Sequence, residues 1–559
     1  MLKEFEISGF LCIERLTSGP WQAFERAIAR LLAHQGWDNY DVVGGSGDKG
    51  ADIIAVDGDK EVIFQCKFSE RNRALSVDIS GDIKRAIDFY EIINGVCVSN
   101  RQLGEYQLSR VKILNDQGYN VSTFSGREIF NSFKGLSEWP VEKRKIKEYQ
   151  SIAVDRIINS YLSGSRVGLI SLATGLGKTF VAATFLKWLF QTDLNKNILV
   201  LADKKELLLQ FDKSIWTSLP KSVSTHLLHE SEKPAYQNGI ILSTFQSLEN
   251  YLYQYPNLYF DVIIVDEAHH APATTYSELL QKLKPRYLLG LTATPFRMDD
   301  REVSSIFGEP LIYFDVIKAL KYGFLANVDY RIKNDNIDYN WLALNSKQGY
   351  SIRQLNKKIF IPERDEEICK QIVDYWTFKK FDKGIVFCNS NAHADVIERI
   401  LRSDYSFPAR ALTTNVDSSE ERARRLRKFR KGEIKILTCF DMLNEGVDVP
   451  DVDFLVYLRV THSRIIFLQQ LGRGLRYKDN KTLTVFDFVA DLRRIGSIKN
   501  LKNNFDRFES KSIKAGEFEQ INLPSEFQLT FSDTDTSDFL NLVTSDYEKI
   551  ENSELDDVI

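Results

Sequence analysis

Apolar and polar positions along the chain keep three different rhythms. Between Trp21 and Gln35, the residues Phe24, Ile28, Leu31 and Leu32 fall on one face of a helix. Two short β-rich runs follow, 52–56 and 62–67, joined by the turn Asp57-Gly58-Asp59. Further strands are expected at 96–98 and 121–124. The charged stretch Glu142-Lys143-Arg144-Lys145-Ile146-Lys147-Glu148 then marks a boundary. From Tyr149 onward, buried-type strands alternate with amphipathic helices, the mark of a parallel α/β sheet. Strands are expected at 167–172, 198–202, 239–243, 262–266 and 288–292. After a less regular region near 331–362, a second series is expected at 384–388, 434–439, 454–458 and 483–488. Two α/β domains in tandem account for roughly 140–500.

Composition narrows the class. The 559 residues are 43% apolar and 27% charged, which describes a globular protein of three or four domains rather than a disordered one. No apolar run has bilayer length, so no membrane partner is expected. The first residues carry Glu4 and Glu6 where a secretory signal would carry bases, so a cytoplasmic location is expected. Six cysteines without a C-x-x-C pair argue against disulfides and structural zinc, and read as small core residues. The net charge of −4 conceals a segregation. Residues 525–559 hold ten acids and one lysine, a net −9, which leaves +5 on the body.

The sharpest chemistry begins at Leu172-Ala173-Thr174-Gly175-Leu176-Gly177-Lys178-Thr179, which follows a strand and opens a helix. Glycines let backbone N–H groups curl round phosphates, Lys178 can reach the outer phosphates, and Thr179 can hold Mg²⁺. Leu172 stands where the strict pattern has its first glycine. Further on, Ile263-Ile264-Val265-Asp266-Glu267-Ala268-His269-His270 ends an apolar strand in two adjacent carboxylates. Asp266 suits Mg²⁺, and Glu267 suits orienting and deprotonating the attacking water. Leu291-Thr292-Ala293-Thr294-Pro295 follows after another strand.

In this order the motifs resemble a superfamily-two helicase or translocase of the DEAH-box type, over roughly 148–490. Tyr149-Gln150 resembles the adenine-reading glutamine, and 202–207 and 243–248 resemble strand-contacting motifs of the first lobe. In the second lobe, 385–388 and Asn444-Glu445-Gly446-Val447-Asp448-Val449-Pro450 resemble later motifs, and Gln469-Gln470-Leu471-Gly472-Arg473-Gly474-Leu475-Arg476 the last. The resemblance implies ATP and Mg²⁺ as cofactors. It implies a nucleotide site of Gln150, Thr174, Gly175, Gly177, Lys178, Thr179, Asp266, Gly446, Asp448 and Gln469. Arg473 and Arg476 would be the arginines that stabilise charge developing on the γ-phosphoryl oxygens. A basic helical run at 422–431 reads either as a phosphate-contacting surface or as a solvated face.

The N-terminal region carries a second constellation. Gly47-Asp48-Lys49-Gly50-Ala51-Asp52 leads through a hairpin into Phe64-Gln65-Cys66-Lys67, and strand alternation puts Gln65 and Lys67 on one face. A carboxylate at Asp52 with nearby carbonyl oxygens suits Mg²⁺, Lys67 suits the nucleophile or the phosphate charge, and Glu25 can complete the metal shell. Residues 17–130 resemble the Mrr-like branch of the restriction-endonuclease fold, with Gln65 in place of the usual acid. That amide leaves two readings open, a Mg²⁺-dependent nuclease and a domain that binds DNA without cutting it.

The sequence is therefore read as α/β throughout: an Mrr-like endonuclease domain (1–138), two RecA-like parallel-sheet lobes (139–330 and 331–500) and an acidic tail (501–559). The expected function is an ATP-dependent translocase on double-stranded DNA with an attached endonuclease, similar to motor subunits of type I and type III restriction enzymes. Restriction or anti-phage defence and a partner subunit follow by analogy. The alternatives are a repair or remodelling helicase and an RNA helicase.

Overall fold

The structure, a computed structural model, describes all residues except 1–8, 45–48, 71–77, 231, 235–237, 256–257, 272–273, 294–300, 333–361, 414–417, 441–451, 460–469, 473, 479–480, 489–526 and 532–559. The chain divides into two compact units, 1–172 with 177–313 and 173–176 with 314–559.

The first unit opens with α1 (Ile13–Ser18) and α2 (Trp21–Gln35), which buries Phe24, Ile28, Leu31 and Leu32. Gly36 ends α2 in the left-handed region at φ 89°, where glycine has no side-chain penalty. A five-stranded sheet follows in the order β1 (Asn39–Val42), β2 (Ile53–Asp57), β3 (Lys60–Lys67), β4 (Asn94–Ser99) and β5 (Asn120–Phe124). β1, β2 and β3 pair antiparallel, whereas β3, β4 and β5 pair parallel. The parallel pairs need crossovers, supplied by α3 (Ile79–Tyr90) and α4 (Glu105–Asp116). Asp78 caps α3, and Ile79, Ile83 and Ile87 seat it on Ile54, Ile63 and Val121. Each such isoleucine contributes roughly 1.5–3 kcal/mol by leaving water.

The second sheet of this unit has the order β12-β6-β11-β10-β7-β9-β8. Its strands are β6 (Val167–Leu172), β7 (Ile198–Ala202), β8 (Thr225–Leu228), β9 (Ile240–Thr244), β10 (Val262–Val265), β11 (Tyr287–Thr292) and β12 (Pro310–Phe314). Pairing from β6 through β8 is parallel throughout. β7 and β10 are buried at every position, which is why they read as unbroken apolar runs. Flanking helices include α6 (Glu148–Leu162), α7 (Lys178–Thr192) and α8 (Lys205–Ile215), while α5 (Gly126–Gly135) closes the nuclease-like domain.

Within this unit the two sheets are joined by a polar seam. Arg26 of α2 donates from Nη1 to Glu232 Oε2 at 2.7 Å and from Nη2 to Glu232 Oε1, and its Nε lies 3.6 Å from Asp212 Oδ2 of α8. Trp216 Nε1 donates to Asp212 at 2.8 Å and stacks on Tyr40 of β1. Lys213 Nζ meets Asp41 at 2.6 Å, and Arg30 Nη2 donates to the Pro220 carbonyl at 3.1 Å. Burial pushes the Asp212 carboxyl up, with Arg26 opposing that shift.

The second unit holds a sheet of order β15-β16-β14-β17-β18-β13-β19. Its strands are β13 (Asn327–Ile332), β14 (Gly384–Phe387), β15 (Ala409–Leu412), β16 (Ile436–Cys439), β17 (Phe454–Tyr457), β18 (Thr482–Asp487) and β19 (Phe527–Phe531). All are paired parallel. Two differences from the sequence reading stand out. β13 belongs to this sheet, so the boundary between lobes falls before Asn327 rather than at 330. β19 pairs with β13, so part of the segment read as an acidic tail is a strand of the second lobe. All six cysteines are free and buried.

Breaking a buried ion pair by removing one partner costs about 3–5 kcal/mol. Glu232→Ala is therefore expected to lower the unfolding free energy of the first unit by that order, measured by urea denaturation. Wild-type stability in Glu232→Ala would show that the seam contributes nothing.

Candidate active sites

The phosphate loop runs from the end of β6 into α7. Gly175 and Gly177 have φ of 92° and 83°, the left-handed region that glycine enters without side-chain penalty. Gly177 caps α7, so Lys178 and Thr179 stand at a helix N-terminus, where dipole and unpaired N–H groups favour phosphate. Gln150 of α6 is brought to the same place: a Cβ on Gly177 would lie 2.7 Å from its Nε2.

The adjacent carboxylates leave the end of β10, two strands away from β6 in the sheet. Lys178 Nζ sits 3.5 Å from Glu267 Oε1, and His269 Nδ1 lies 3.4 Å from Glu267 Oε2. His269 Nδ1 is also 3.2 Å from Thr292 Oγ1, so the histidine bridges the carboxylate to the end of β11. Burial and the neighbouring Glu267 push Asp266 up to about 6. Burial also opposes ionisation of Glu267, but Lys178 and His269 outweigh it and hold that carboxylate down at about 2. Glu267 adopts φ 47°, which turns it out of the strand line. Thr179, Asp266 and Lys178 are the side chains that would hold a Mg²⁺-nucleotide.

In the second unit, Arg476 bridges to Leu325 by backbone pairing, and the Leu475 carbonyl accepts from Ala326 N at 2.9 Å beside β13. Thr294, Gly446, Asp448, Gln469 and Arg473 lie outside the described residues. The basic run forms the helix Ser419–Arg430, capped by Ser418. Part of its charge is spent locally, since Arg424 and Arg425 both pair with Glu421.

The nuclease-like constellation gathers at the start of β2 and the end of β3. Asp52 Oδ2 accepts from Gln65 Nε2 at 2.6 Å and from Cys66 N at 2.5 Å. Glu25 comes from α2. A Cβ on Gly44 would lie 3.0 Å from Asp52 Oδ1 and 3.2 Å from Glu25 Oε2, so the two carboxylates flank one small space. Gln65 is 1% exposed, and its Oε1 is a buried oxygen without a hydrogen-bond partner. Donation of Nε2 to Asp52 commits that end of the amide and leaves the carbonyl oxygen as an uncommitted hard ligand. Two carboxylates and an orphaned amide oxygen fit Mg²⁺. Among the described residues no group of three His, Cys, Asp or Glu side chains is arranged to hold a metal ion, and the third oxygen at this pocket would have to come from Gln65.

Two residues escaped the sequence reading. Asp82 of α3 pairs with Lys67 Nζ at 2.8 Å and also with Arg85, so it sets where the lysine points. Gly44 keeps the space between Glu25 and Asp52 open. Neither stands in a motif, since each meets the site only through folding.

Three family descriptions match successive parts of the chain. "Restriction endonuclease" (Mrr catalytic) covers 16–128, "Type III restriction enzyme, res subunit" covers 143–297, and "Helicase conserved C-terminal domain" covers 363–478. The chain is 25% identical over 453 residues to the type I restriction enzyme EcoAI endonuclease subunit of Escherichia coli, covering 72% of this chain and 55% of that protein. It is also 25% identical over 365 residues to the helicase IRC3 of Saccharomyces cerevisiae, covering 62% of this chain and 51% of the relative. Among solved structures, the Type ISP restriction-modification enzyme LlaBIII bound to DNA aligns over 93% of this chain and 41% of its own, with TM-score 0.53 and 14% identity, a likeness of fold. The chain thus spans about half the length of these curated relatives.

Successive segments of the chain thus match a restriction-endonuclease domain and the two domains of a restriction-type helicase.

Filling the space at Gly44 separates metal binding from folding. Gly44→Ala is expected to weaken nucleotide-free Mg²⁺ binding at least tenfold by calorimetry, with Asp52→Ala as the reference for loss. Unaltered affinity would place the metal elsewhere.

Proposed function

We propose that this chain is an ATP-driven DNA translocase carrying a Mg²⁺-dependent endonuclease, and that it acts in restriction of foreign DNA together with a partner subunit. The observation that carries the reading is the pairing, in one compact unit, of Lys178 at the head of α7 facing Glu267 with a carboxylate–amide pocket at Asp52.

At the motor site, Lys178 and the loop amides bind the nucleotide phosphates, and Glu267 accepts a proton from the attacking water. Arg473 and Arg476 are assigned to the developing phosphoryl charge on the strength of the motif they share. At the nuclease site, Glu25, Asp52 and Gln65 would hold Mg²⁺, which when bound supplies charge neutralisation and a more acidic water. Lys67, steered by Asp82, places a positive charge beside the scissile phosphate.

Relatives named for restriction endonuclease subunits support the DNA substrate and the partner subunit. A second reading has one observation in its favour: Gln65 binds a cation less strongly than an acid would, so the domain would hold DNA without cutting it.

The readings separate on plasmid DNA with Mg²⁺, with and without ATP. Wild type is expected to cleave and to hydrolyse ATP. Asp52→Ala should lose cleavage by at least a hundredfold while keeping ATP hydrolysis, and Lys178→Ala should lose both. Wild-type ATP hydrolysis stimulated by DNA, with no cleavage under any condition, would establish the binding-domain reading instead.

A further inference from the structure

The polar seam of the first unit encloses more than an ion pair. Between α2 and β8 lies a cavity of about 50 Å³, with Arg15, Arg26 and Arg30 all standing in its wall. One water needs about 10–15 Å³ of such space, so the cavity admits a group of several atoms. Among the described residues, the one carboxylate in that wall is Glu232, and it is committed to Arg26. Asp212 is engaged by Nε of the same arginine. His226, also in the wall, adds no charge: burial holds its imidazole well below the usual range, and Arg15 adds to that shift.

Arg30 is 1% exposed, and its donors are unequally used. Nε lies 3.5 Å from His34 Nε2, Nη2 donates to the Pro220 carbonyl at 3.1 Å, and Nη1 is a buried nitrogen without a hydrogen-bond acceptor. Buried charged donors are almost always satisfied, because leaving one unmade costs its full desolvation. Burial lowers the Arg30 guanidinium to about 9, with Asp212 opposing that shift and Arg15 adding to it. A water could accept from Nη1, but it would not relieve the repulsion between the two arginines. An anion does both. Arg15 is half-buried, and its Nη2 donates to Asn238 Oδ1 at 3.0 Å. The wall also includes Gly19 and Pro20, which lead into α2; Pro20 offers no side-chain cap to the first-turn amides, so the positive end of that helix adds to the arginines.

We propose that this cavity is an oxyanion site, in which a tetrahedral anion of phosphate type sits between Arg30 Nη1 and the Arg15 guanidinium and fastens α2 to β8. β8 is the edge strand of its sheet, five places from β6, so the site is separate from the phosphate loop. A free phosphate and a phosphate of a DNA backbone share this chemistry.

The test titrates inorganic phosphate, without Mg²⁺, into the full-length chain carrying Lys178→Ala, so that the phosphate loop does not contribute. Calorimetry reads affinity, and the thermal midpoint reads the stabilisation that a bound anion brings. This chain should bind phosphate and gain in midpoint. Adding Arg30→Met should weaken affinity by about tenfold or more. Removal of a buried arginine can unsettle the fold, so Ala27→Leu serves as the second variant. It fills the cavity, keeps every charge, and leaves a good helix former in α2. It should give the same loss of affinity with an unaltered circular dichroism spectrum. Arg422→Ala, which removes a cation outside the cavity, should change nothing. A short DNA duplex distinguishes the two sources: competition with phosphate means that the site takes a backbone phosphate, and its absence means a free anion, both upholding the oxyanion chemistry. Failure of the Lys178→Ala chain to bind phosphate overturns the proposal. So does binding that survives both Arg30→Met and Ala27→Leu, which would leave the cavity to water.

Discussion

Arg26 is the residue on which the rest of the first unit depends. Its side chain is nearly sealed from water, and a lone guanidinium in that position would be costly. Glu232 and Asp212 supply the compensation, and both belong to the motor domain rather than to the domain that carries Arg26. The nuclease-like domain therefore satisfies a buried charge only by docking on the motor. The preceding residue of the helix, Glu25, is a carboxylate of the candidate metal pocket. One turn of α2 thus fixes both the interface and the site, and a shift of the interface would move Glu25.

The two chemistries use the same structural economy in different ways. In the motor sheet, buried parallel strands bring the ends of β6 and β10 to one edge, so the phosphate loop and Asp266-Glu267 converge without any contact between their sequences. In the nuclease sheet, an antiparallel hairpin places Asp52 against Gln65 and Cys66, within one residue of Lys67. His269 then ties Glu267 to Thr292, which gives that carboxylate a neighbour on another strand.

What was legible in the sequence was local. β7, β10, β14 and β17 are buried on both faces, so they appear as apolar runs, and the phosphate loop and the Asp-Glu pair are contiguous. β8 was not legible, because Thr225 and His226 look like loop residues until His226 is covered by Arg15 and Asn238. β13 alternates polar and apolar residues, with Tyr330 inward and bonded to Asp487, and so passes for irregular chain. β19 lies in an acidic segment whose charge concealed the strand. Asp82, Gly44 and the Arg26 seam depend on partners that only folding brings together, Glu232 being 206 residues from Arg26. The sequence reading offered Glu25 for the metal shell but had no access to what holds it.

The central claim is that the nuclease domain and the first motor domain form one cooperative body. Ligand binding stabilises whatever unfolds with its site, and the slowest amides report that unfolding. Hydrogen exchange of the slowest amides in α2 and in α7, with and without saturating ATP, tests it directly. The account predicts that ATP slows both sets by the same factor. Slowing confined to α7, with α2 unchanged, would contradict it.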